Sequence, residues 1–479
     1  MRLMKGLVAK TLRILFLPFV CSVFLLARFH HSPLYLQPSP LVVVTINGSV
    51  QATVPGAIYR NLTPSSKRTP YPRQYRVGDS SVRFKNPSDN KSGPARDYPF
   101  KKYDPRSPSV FILQNDTKKY FVRFANSTCF LFGTDLVSSN RTCVCHSLWY
   151  GSDCSVPESI WESKKFKRKY TNRLITRRPF PRRVINALNI NHELDMLDIR
   201  VHELNHVVDV FIICESNYTA YGDAKPLYLL PKLREGFLEE FQHKIIYVWL
   251  DHFPKGGKRD GWIADDYLRT FLWKQGKKQL SGLRDDDLFI LTDADEIPRA
   301  EAIAFLKNHD GYGQPIFWRL RWNVFGFFWL HFMEHVQISA GCTVKYLREV
   351  LWDDAINVRR GKLPKNATLS HRAMTDDWTV GQNRGENGGW HCSWCGTIDD
   401  LKVKLLSAQK SDGIRWGDFP EKIQPKYLSS LVREGRWFDG KKIGLRCQVD
   451  KATTPAYVLA NPNNFKYMLS LPGDVVFNW

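Results

Sequence analysis

Asp287-Leu-Phe-Ile-Leu-Thr-Asp293-Ala-Asp295-Glu296-Ile-Pro298 is the stretch whose reading decides the fold. Asp287–Thr292 reads as an apolar strand, Asp293 follows it at once, and Pro298 turns the chain toward a helix at Arg299–Lys307. Upstream, Val184–Asn191, Val207–Cys214 and Lys244–Leu250 are further candidate strands. Between them, His192–Leu204 carries Leu194, Leu197, Val201 and Leu204 at helical spacing, and Asp265–Leu280 also reads as helix. Strand and helix alternate, so the expected fold is α/β with a mostly parallel sheet flanked by helices. Ligands of such sheets sit beyond the carboxyl ends of the strands. The dinucleotide and P-loop glycine motifs are absent from the sequence, which disfavours both chemistries.

The chemistry is expected where the strand ends. Asp293, Asp295 and Glu296 repel one another unless a cation lies between them. Hard oxygen ligands beside a phosphate suit Mn²⁺ or Mg²⁺. An Asp-x-Asp pair at a strand end is how many glycosyltransferases hold a metal against a sugar-nucleotide diphosphate, whose developing charge the metal offsets. The bland reading is an acidic turn that caps the strand. A second constellation is Gly388-Gly389-Trp390-His391-Cys392-Ser393-Trp394-Cys395. His391 is a candidate third metal ligand or diphosphate contact. Trp390 and Trp394 are candidates for a sugar platform or for a buried aromatic turn, and Cys392 and Cys395 for a disulfide. Arg269 could brace a diphosphate or form a surface salt bridge with Asp265 or Asp266. Trp416 with Asp418, and Trp437 with Asp439, are candidate acceptor-sugar contacts. The aromatic run Asn323–Phe332 is too short to span a membrane and reads as core or acceptor-site wall.

The rest of the chain sets the compartment. Arg2, Lys5, Lys10 and Arg13 precede or interrupt an apolar stretch that ends before Arg28, and no small-x-small cleavage site follows it. A type II signal-anchor is expected over a cleaved signal peptide, with the amino terminus cytosolic. Eight Asn-x-Ser/Thr acceptors follow, at Asn47, Asn61, Asn90, Asn115, Asn126, Asn140, Asn217 and Asn366, and all cysteines but Cys21 lie beyond the span. The stretch after the anchor is rich in Pro, Ser, Arg and Lys and reads as a stem. Cys143-Val-Cys145, Gly151 and Cys154 match the second half of an EGF-like module, with Cys129 the nearest upstream partner. By analogy with EGF connectivity the expected bridges are Cys143–Cys154 and Cys129–Cys145; a zinc site is the alternative reading. A basic linker containing Lys164, Lys165, Lys167, Arg168 and Lys169 reads as a solvated hinge or a patch for acidic glycans or lipid head groups. The net charge of +22 lies wholly within residues 1–183, and the remainder is balanced. Nucleic acid is therefore not an expected partner. With 43% hydrophobic and 13% aromatic residues the chain can bury a large core.

Several long segments occur in the order of one known family: Arg182-Arg183-Val-Ile-Asn-Ala, Asn191-His-Glu, Cys214-Glu-Ser-Asn-Tyr-Thr-Ala-Tyr-Gly222, Leu250-Asp-His-Phe-Pro254, Asp260 through Leu272, Asp293-Ala-Asp-Glu-Ile-Pro298 and Gly389-Trp-His-Cys-Ser-Trp394. They resemble the N-acetylglucosaminyltransferase III family, the β-1,4-mannosyl-glycoprotein 4-β-N-acetylglucosaminyltransferases. The resemblance spans about residues 182–440. Thr292 stands where the family pattern has an acidic residue, and the stem and the tail after Asp439 differ. The resemblance implies a GT-A-like fold, Mn²⁺, and transfer of GlcNAc from UDP-GlcNAc to the β-linked core mannose of N-glycans. It implies a single-pass type II protein of the Golgi membrane. The expected organisation is a cytosolic tail at 1–6, a span at 7–29, a stem at 30–128, the cysteine module at 129–156, the basic linker at 157–181 and a catalytic domain at 182–479. Donor contacts are expected from Arg269, Asp293 and His391, metal contacts from Asp293, Asp295 and His391, and acceptor contacts from Trp390, Trp394, Trp416 and Asp418. Inversion at the anomeric carbon calls for a general base, for which Glu296, Asp266 and Asp418 are candidates. A lumenal metal-dependent hydrolase and a glycan-binding protein without transferase activity are the competing classes.

Overall fold

The computed structural model describes residues 98–471, apart from 164, 382–386 and 409–412. The expected tail, span and most of the stem, with Asn47, Asn61 and Asn90, lie outside the described residues. Among the described residues no helix is long and apolar enough to cross a membrane.

The main elements run in this order: β1 (Val184–Ile190), α1 (Leu194–Leu204), β2 (Val210–Ser216), β3 (Ile245–Leu250), α2 (Gly261–Lys278), β4 (Leu288–Leu291), β5 (Glu296–Pro298), α3 (Ala300–Asn308), β6 (Ile316–Val324), β7 (Gly326–Thr343), α4 (Ala355–Arg360), β8 (Trp378–Val380), β9 (Gly389–Ser393), α5 (Ile398–Ser407) and β10 (Gly444–Arg446). All ten strands belong to one sheet, in the order β5-β9-β6-β7-β4-β1-β2-β3, with β8 beside β6 and β10 beside β7. Strands β4, β1, β2 and β3 are parallel, as expected from the alternating pattern. The other half is mixed: β7 runs antiparallel to β4, β6 and β10, while β9 and β8 lie parallel to β6. The expectation of a mostly parallel sheet therefore holds for one half only. A hairpin joins β6 to β7 directly, and a hairpin forces antiparallel pairing.

Side-chain alternation explains why both faces of the parallel half are covered. Val184 and Leu188 of β1 face the core cluster that holds Leu197, Val201 and Leu204 of α1 with Phe305 of α3. Ile185 and Ala187 face the cluster containing Leu272 and Trp273 of α2. Helix α2 starts at Asp260, whose side chain accepts the Trp262 N–H. It lies so close to β2 that a Cβ on Gly276 would stand 2.5 Å from Ile212 Cγ2. The aromatic run Asn323–Phe332 supplies a third cluster, with Phe325, Phe327, Phe328 and Trp329 buried against α5 and the C-terminal segment.

The sequence amino-terminal to β1 is packed onto this core. Phe100 and Leu113 of the expected stem are buried, and Phe111–Ile112 pairs in parallel with Leu280–Ser281. In the expected linker, Phe166 is fully buried against Phe305 and Trp378, and Lys165 and Lys169 pair with Asp376. The segment therefore does not behave as a solvated hinge. The disulfides are Cys129–Cys143 and Cys145–Cys154, in place of the interlaced pairs expected by analogy. Pairing of Thr128–Phe130 with Phe121–Arg123, and the bond from the Phe130 N–H to the Asp153 carbonyl, set Cys129 5.6 Å in Cα separation from Cys143 and leave Cys145 5.2 Å from Cys154. Nothing in this pairing makes the module EGF-like. Of the described acceptor asparagines, Asn115, Asn126, Asn140 and Asn366 are exposed. Asn217, just after β2, is partly exposed.

Candidate active site

In the parallel half, β1 leads outward to β2 on one side and has β4 on the other, so the strand order reverses there. Such a switch point leaves a crevice beyond the carboxyl ends of the strands. A cleft of about 750 Å³ occupies it. Its walls include Asn189 of β1 and Asn191 just after it, Ser216 at the end of β2, Leu250 of β3, Asp265, Asp266 and Arg269 of α2, and the turn from Asp293 to Glu296.

That turn is held from beneath by Arg200 of α1, which is fully buried. Its guanidinium donates to Asn186 Oδ1 at 3.1 Å and to Thr292 Oγ1 at 2.7 Å, and also to the carbonyls of Asp293 and Glu296. Thr292 thus accepts a bond where the family pattern has a carboxylate. Burial lowers Arg200 to about 10, partly countered by Glu296 and Asp295. The carboxylates of the turn are then met by cations from three helices. Arg269 Nη2 contacts both Asp293 oxygens at 2.8 and 3.0 Å, and Arg359 Nη2 contacts Asp293 Oδ2 at 2.9 Å. Arg359 also forks onto Glu296 at 2.7 Å for each of two bonds. Lys404 of α5 donates to Asp295 Oδ2 at 3.0 Å and lies 3.5 Å from Glu193. Burial pushes the Asp293 carboxyl up, but Arg269 and Arg359 outweigh it and hold the group well below its usual range. For Lys404, burial is outweighed in the same way by Asp295 and Glu193, and the ammonium is stabilised.

The structure gathers some of the expected site residues and separates others. Asp293, Asp295, Glu296, Asp266, Arg269, His391 and Trp394 all line the cleft. Glu296 is 2% exposed and its carboxylate both grips Arg359 and accepts the Asp293 N–H, so it positions the turn. Asp266 pairs with Arg360 at the rim. His391 Nε2 is 3.8 Å from Asp295 Oδ1 and hydrogen-bonds Ser393 Oγ at 2.9 Å. Trp394 has φ of 58°, a left-handed conformation that costs free energy for a bulky residue. The Cys392–Cys395 disulfide brackets it. Alternation along β9 sends Trp390 to the opposite face from His391, against Arg299, so it is not part of a platform in the cleft. Trp416 packs on Phe419 and under Lys422, and Asp418 pairs with Arg415; neither lines the cleft. Arg200, Arg359, Lys404 and Glu193 escape the sequence reading. Each lies on a helix, or for Glu193 just before one, far along the chain from the turn, and no local spacing marks it.

The donor set Asp293, Asp295 and His391 suits a hard divalent ion in kind. As placed, however, each carboxylate is already paired with a guanidinium or ammonium. Among the described residues no three His, Cys, Asp or Glu side chains converge as a metal set. The arrangement does not fit a bound ion, and no step below is routed through one.

Comparison with known proteins identifies the family. The model of Glycosyltransferase family 17 matches residues 124–348. The chain is 39% identical over 414 residues to the β-1,4-mannosyl-glycoprotein 4-β-N-acetylglucosaminyltransferase of Rattus norvegicus, covering 76% of each chain. Identity to the Mus musculus protein of that name is 38% over 414 residues, again 76% of each. It is 42% over 409 residues to the Homo sapiens protein, 75% of this chain and 76% of that one. No solved structure matches. Identity at this level across three quarters of both chains, with the carboxylate turn at the centre of the sheet, places the chain in glycosyltransferase family 17.

Proposed function

We propose that this chain is an inverting glycosyltransferase that moves GlcNAc from UDP-GlcNAc in β-1,4 linkage to the β-linked core mannose of N-glycans, forming a bisecting residue. The observation that carries the reading is the 38–42% identity to enzymes named for that transfer. The acceptor hydroxyl attacks the anomeric carbon on the face opposite the leaving group. The bond to the diphosphate breaks, and UDP departs with the electron pair. Arg269, Arg359 and Lys404 bring positive charge to the end of β4, where the diphosphate's growing charge is stabilised. Of the three carboxylates expected as base, Glu296 is tied to Arg359, Asp418 lies off the cleft, and Asp266 lines the cleft but is paired with Arg360, so none is assigned that role. Trp394 supplies an aromatic face for the acceptor sugar. A GT-A-like relation is part of the reading, supported by the four parallel strands and the cleft at their carboxyl ends.

A single-pass type II anchor at 7–29 in the Golgi membrane, with the rest of the chain lumenal, is likewise proposed. It is supported by the apolar stretch, the exposed acceptor asparagines and the disulfides. So is the division into stem, cysteine module and catalytic domain.

Incubating the full-length protein with a panel of UDP-sugars and a biantennary N-glycan tests the activity. One GlcNAc should be added, from UDP-GlcNAc alone, with β-1,4 linkage to the core mannose. Release of free GlcNAc without acceptor would make the protein a hydrolase, and glycan binding without product a lectin. Mn²⁺ or Mg²⁺ rests on the family resemblance and is tested by calorimetry with UDP in EDTA. Loss of binding in EDTA is the outcome expected of an ion-dependent enzyme. Unchanged affinity would assign neutralisation of the diphosphate to Arg269, Arg359 and Lys404.

A further inference from the structure

A second cavity, of about 360 Å³, lies on the far side of β9 from the cleft and shares no lining residue with it. Its size falls in the range of about 300–1,000 Å³ typical of small-molecule sites. Its walls come from distant parts of the chain: Phe132 and Trp149 from the cysteine module, the end of α1, Glu240 and Phe241, the start of α3, Trp390 of β9, and residues 451–456. Nothing in the transfer reaction uses it.

Three features define what it can take. Phe132, Trp149, Phe241 and Trp390 bring aromatic surface to its lining. Trp390 is 4% exposed, and its indole Nε1 is buried without a hydrogen-bond partner. Beside it the Arg299 guanidinium, 4.7 Å from the indole ring centre, also lines the cavity. Groups of both signs line it: Glu203, Glu240 and Glu301 with Arg299, Lys451 and His202. Burial works against the His202 imidazolium, but its bonds to Asp198 and Glu240 raise it to about 9, so it counts as a cation. A lining of mixed sign selects neither a phosphate nor a polyamine. Aromatic faces combined with both donors and acceptors are the chemistry that holds a neutral pyranose, its C–H face on a ring and its hydroxyls on the polar groups.

We propose that this cavity is a second carbohydrate site, which takes a neutral sugar residue of the acceptor glycoprotein other than the mannose that reacts. The source of the sugar rests on the transferase reading; the cavity itself does not. A sugar held there would tether the acceptor beside the catalytic cleft and raise its effective concentration.

The test is saturation-transfer NMR on the full-length protein with the disaccharide N,N′-diacetylchitobiose as probe and UDP present in excess. The probe signal should persist with UDP. It should fall at least about tenfold in Trp149→Ala and in Ala456→Trp, the second of which fills the mouth from an exposed helix end. Both variants should transfer to a short free glycan at the wild-type rate. Ala456→Trp leaves the module untouched, so its loss of signal at normal transfer supports the site even where Trp149→Ala does not fold. Wild-type protein that gives no probe signal, or signal retained in Ala456→Trp, overturns the site. Transfer by the wild type, read in the same preparation, judges the activity separately: probe binding without transfer keeps the cavity and removes the enzyme.

Discussion

Asp293 sits in a network, not in a cluster of bare carboxylates. Two guanidiniums contact it, both largely buried, so removing the carboxylate leaves like charges facing each other. Asp293→Ala is therefore expected to lose about 3–5 kcal/mol of stability as well as transfer. Asp295 is the more enclosed, at 14% side-chain exposure against 31% for Asp293, but it meets one cation where Asp293 meets two, and that partner, Lys404, keeps Glu193 within 3.5 Å. Asp295→Asn should hold its melting temperature within a few degrees while transfer falls by about 10²-fold or more. Thermal melts beside turnover per folded molecule separate the two; a stable Asp295→Asn protein with normal transfer would remove that residue from the chemistry. Glu203 offers a pH prediction. Burial raises its carboxyl to about 7, against the bond it accepts from the Tyr457 N–H. The native state then holds a proton that the unfolded state releases near 4.5, so stability falls as pH rises from about 4.5 to 7 and stays lower above. Glu203→Gln should flatten that slope and gain on the order of 3 kcal/mol at pH 8. Denaturant titrations at pH 5 and 8 check it, and an equal gain at both would refute it.

At the scale of elements, α2 is the helix that carries Asp265, Asp266 and Arg269 to the cleft, and its distance from the sheet is fixed by Gly276 over Ile212. Ile212 is fully buried and cannot withdraw. Gly276→Ala gains helix propensity but must push the helix off β2, so a net loss of about 1–3 kcal/mol is expected. The displacement would carry Arg269 away from Asp293, and KM for UDP-GlcNAc should rise. A Gly276→Ala protein with raised melting temperature and unchanged KM would show that the contact is slack. Strand β9 has a different role: its alternation assigns His391 to the cleft and Trp390 to the second cavity, so one short strand is a wall of both.

At the scale of the whole molecule, the cysteine module and the segment after it are built into the fold of the sheet domain. Phe166 and Phe132 reach α3 and the end of α1, and Ser155 Oγ hydrogen-bonds His309 at 3.2 Å. Deleting residues 98–181 should expose the α1–α3 face and yield aggregated protein, not an active shorter enzyme. Non-reducing peptide mapping is expected to return Cys129–Cys143, Cys145–Cys154 and Cys392–Cys395. A Cys129–Cys145 peptide would restore the interlaced pairing and contradict the strand register around Phe130.

The sequence by itself determined the parallel half of the sheet, because period-2 and period-3.6 patterns are local and survive any tertiary context. It also determined where the carboxylates stand, because an apolar strand ending in Asp-x-Asp can put them only at its carboxyl end. The family followed from long segments in order. Three things were decided only by tertiary structure. The mixed half depends on the pairing of β7 with β4 and of β9 with β6, whose partners are distant in the chain. The disulfide partners depend on which strand lies beside Cys129. The charge state of the site depends on Arg359 and Lys404, which reach Asp293 and Asp295 from helices 66 and 109 residues away. Electrostatic attraction acts on distance in space, and no spacing along the chain encodes it.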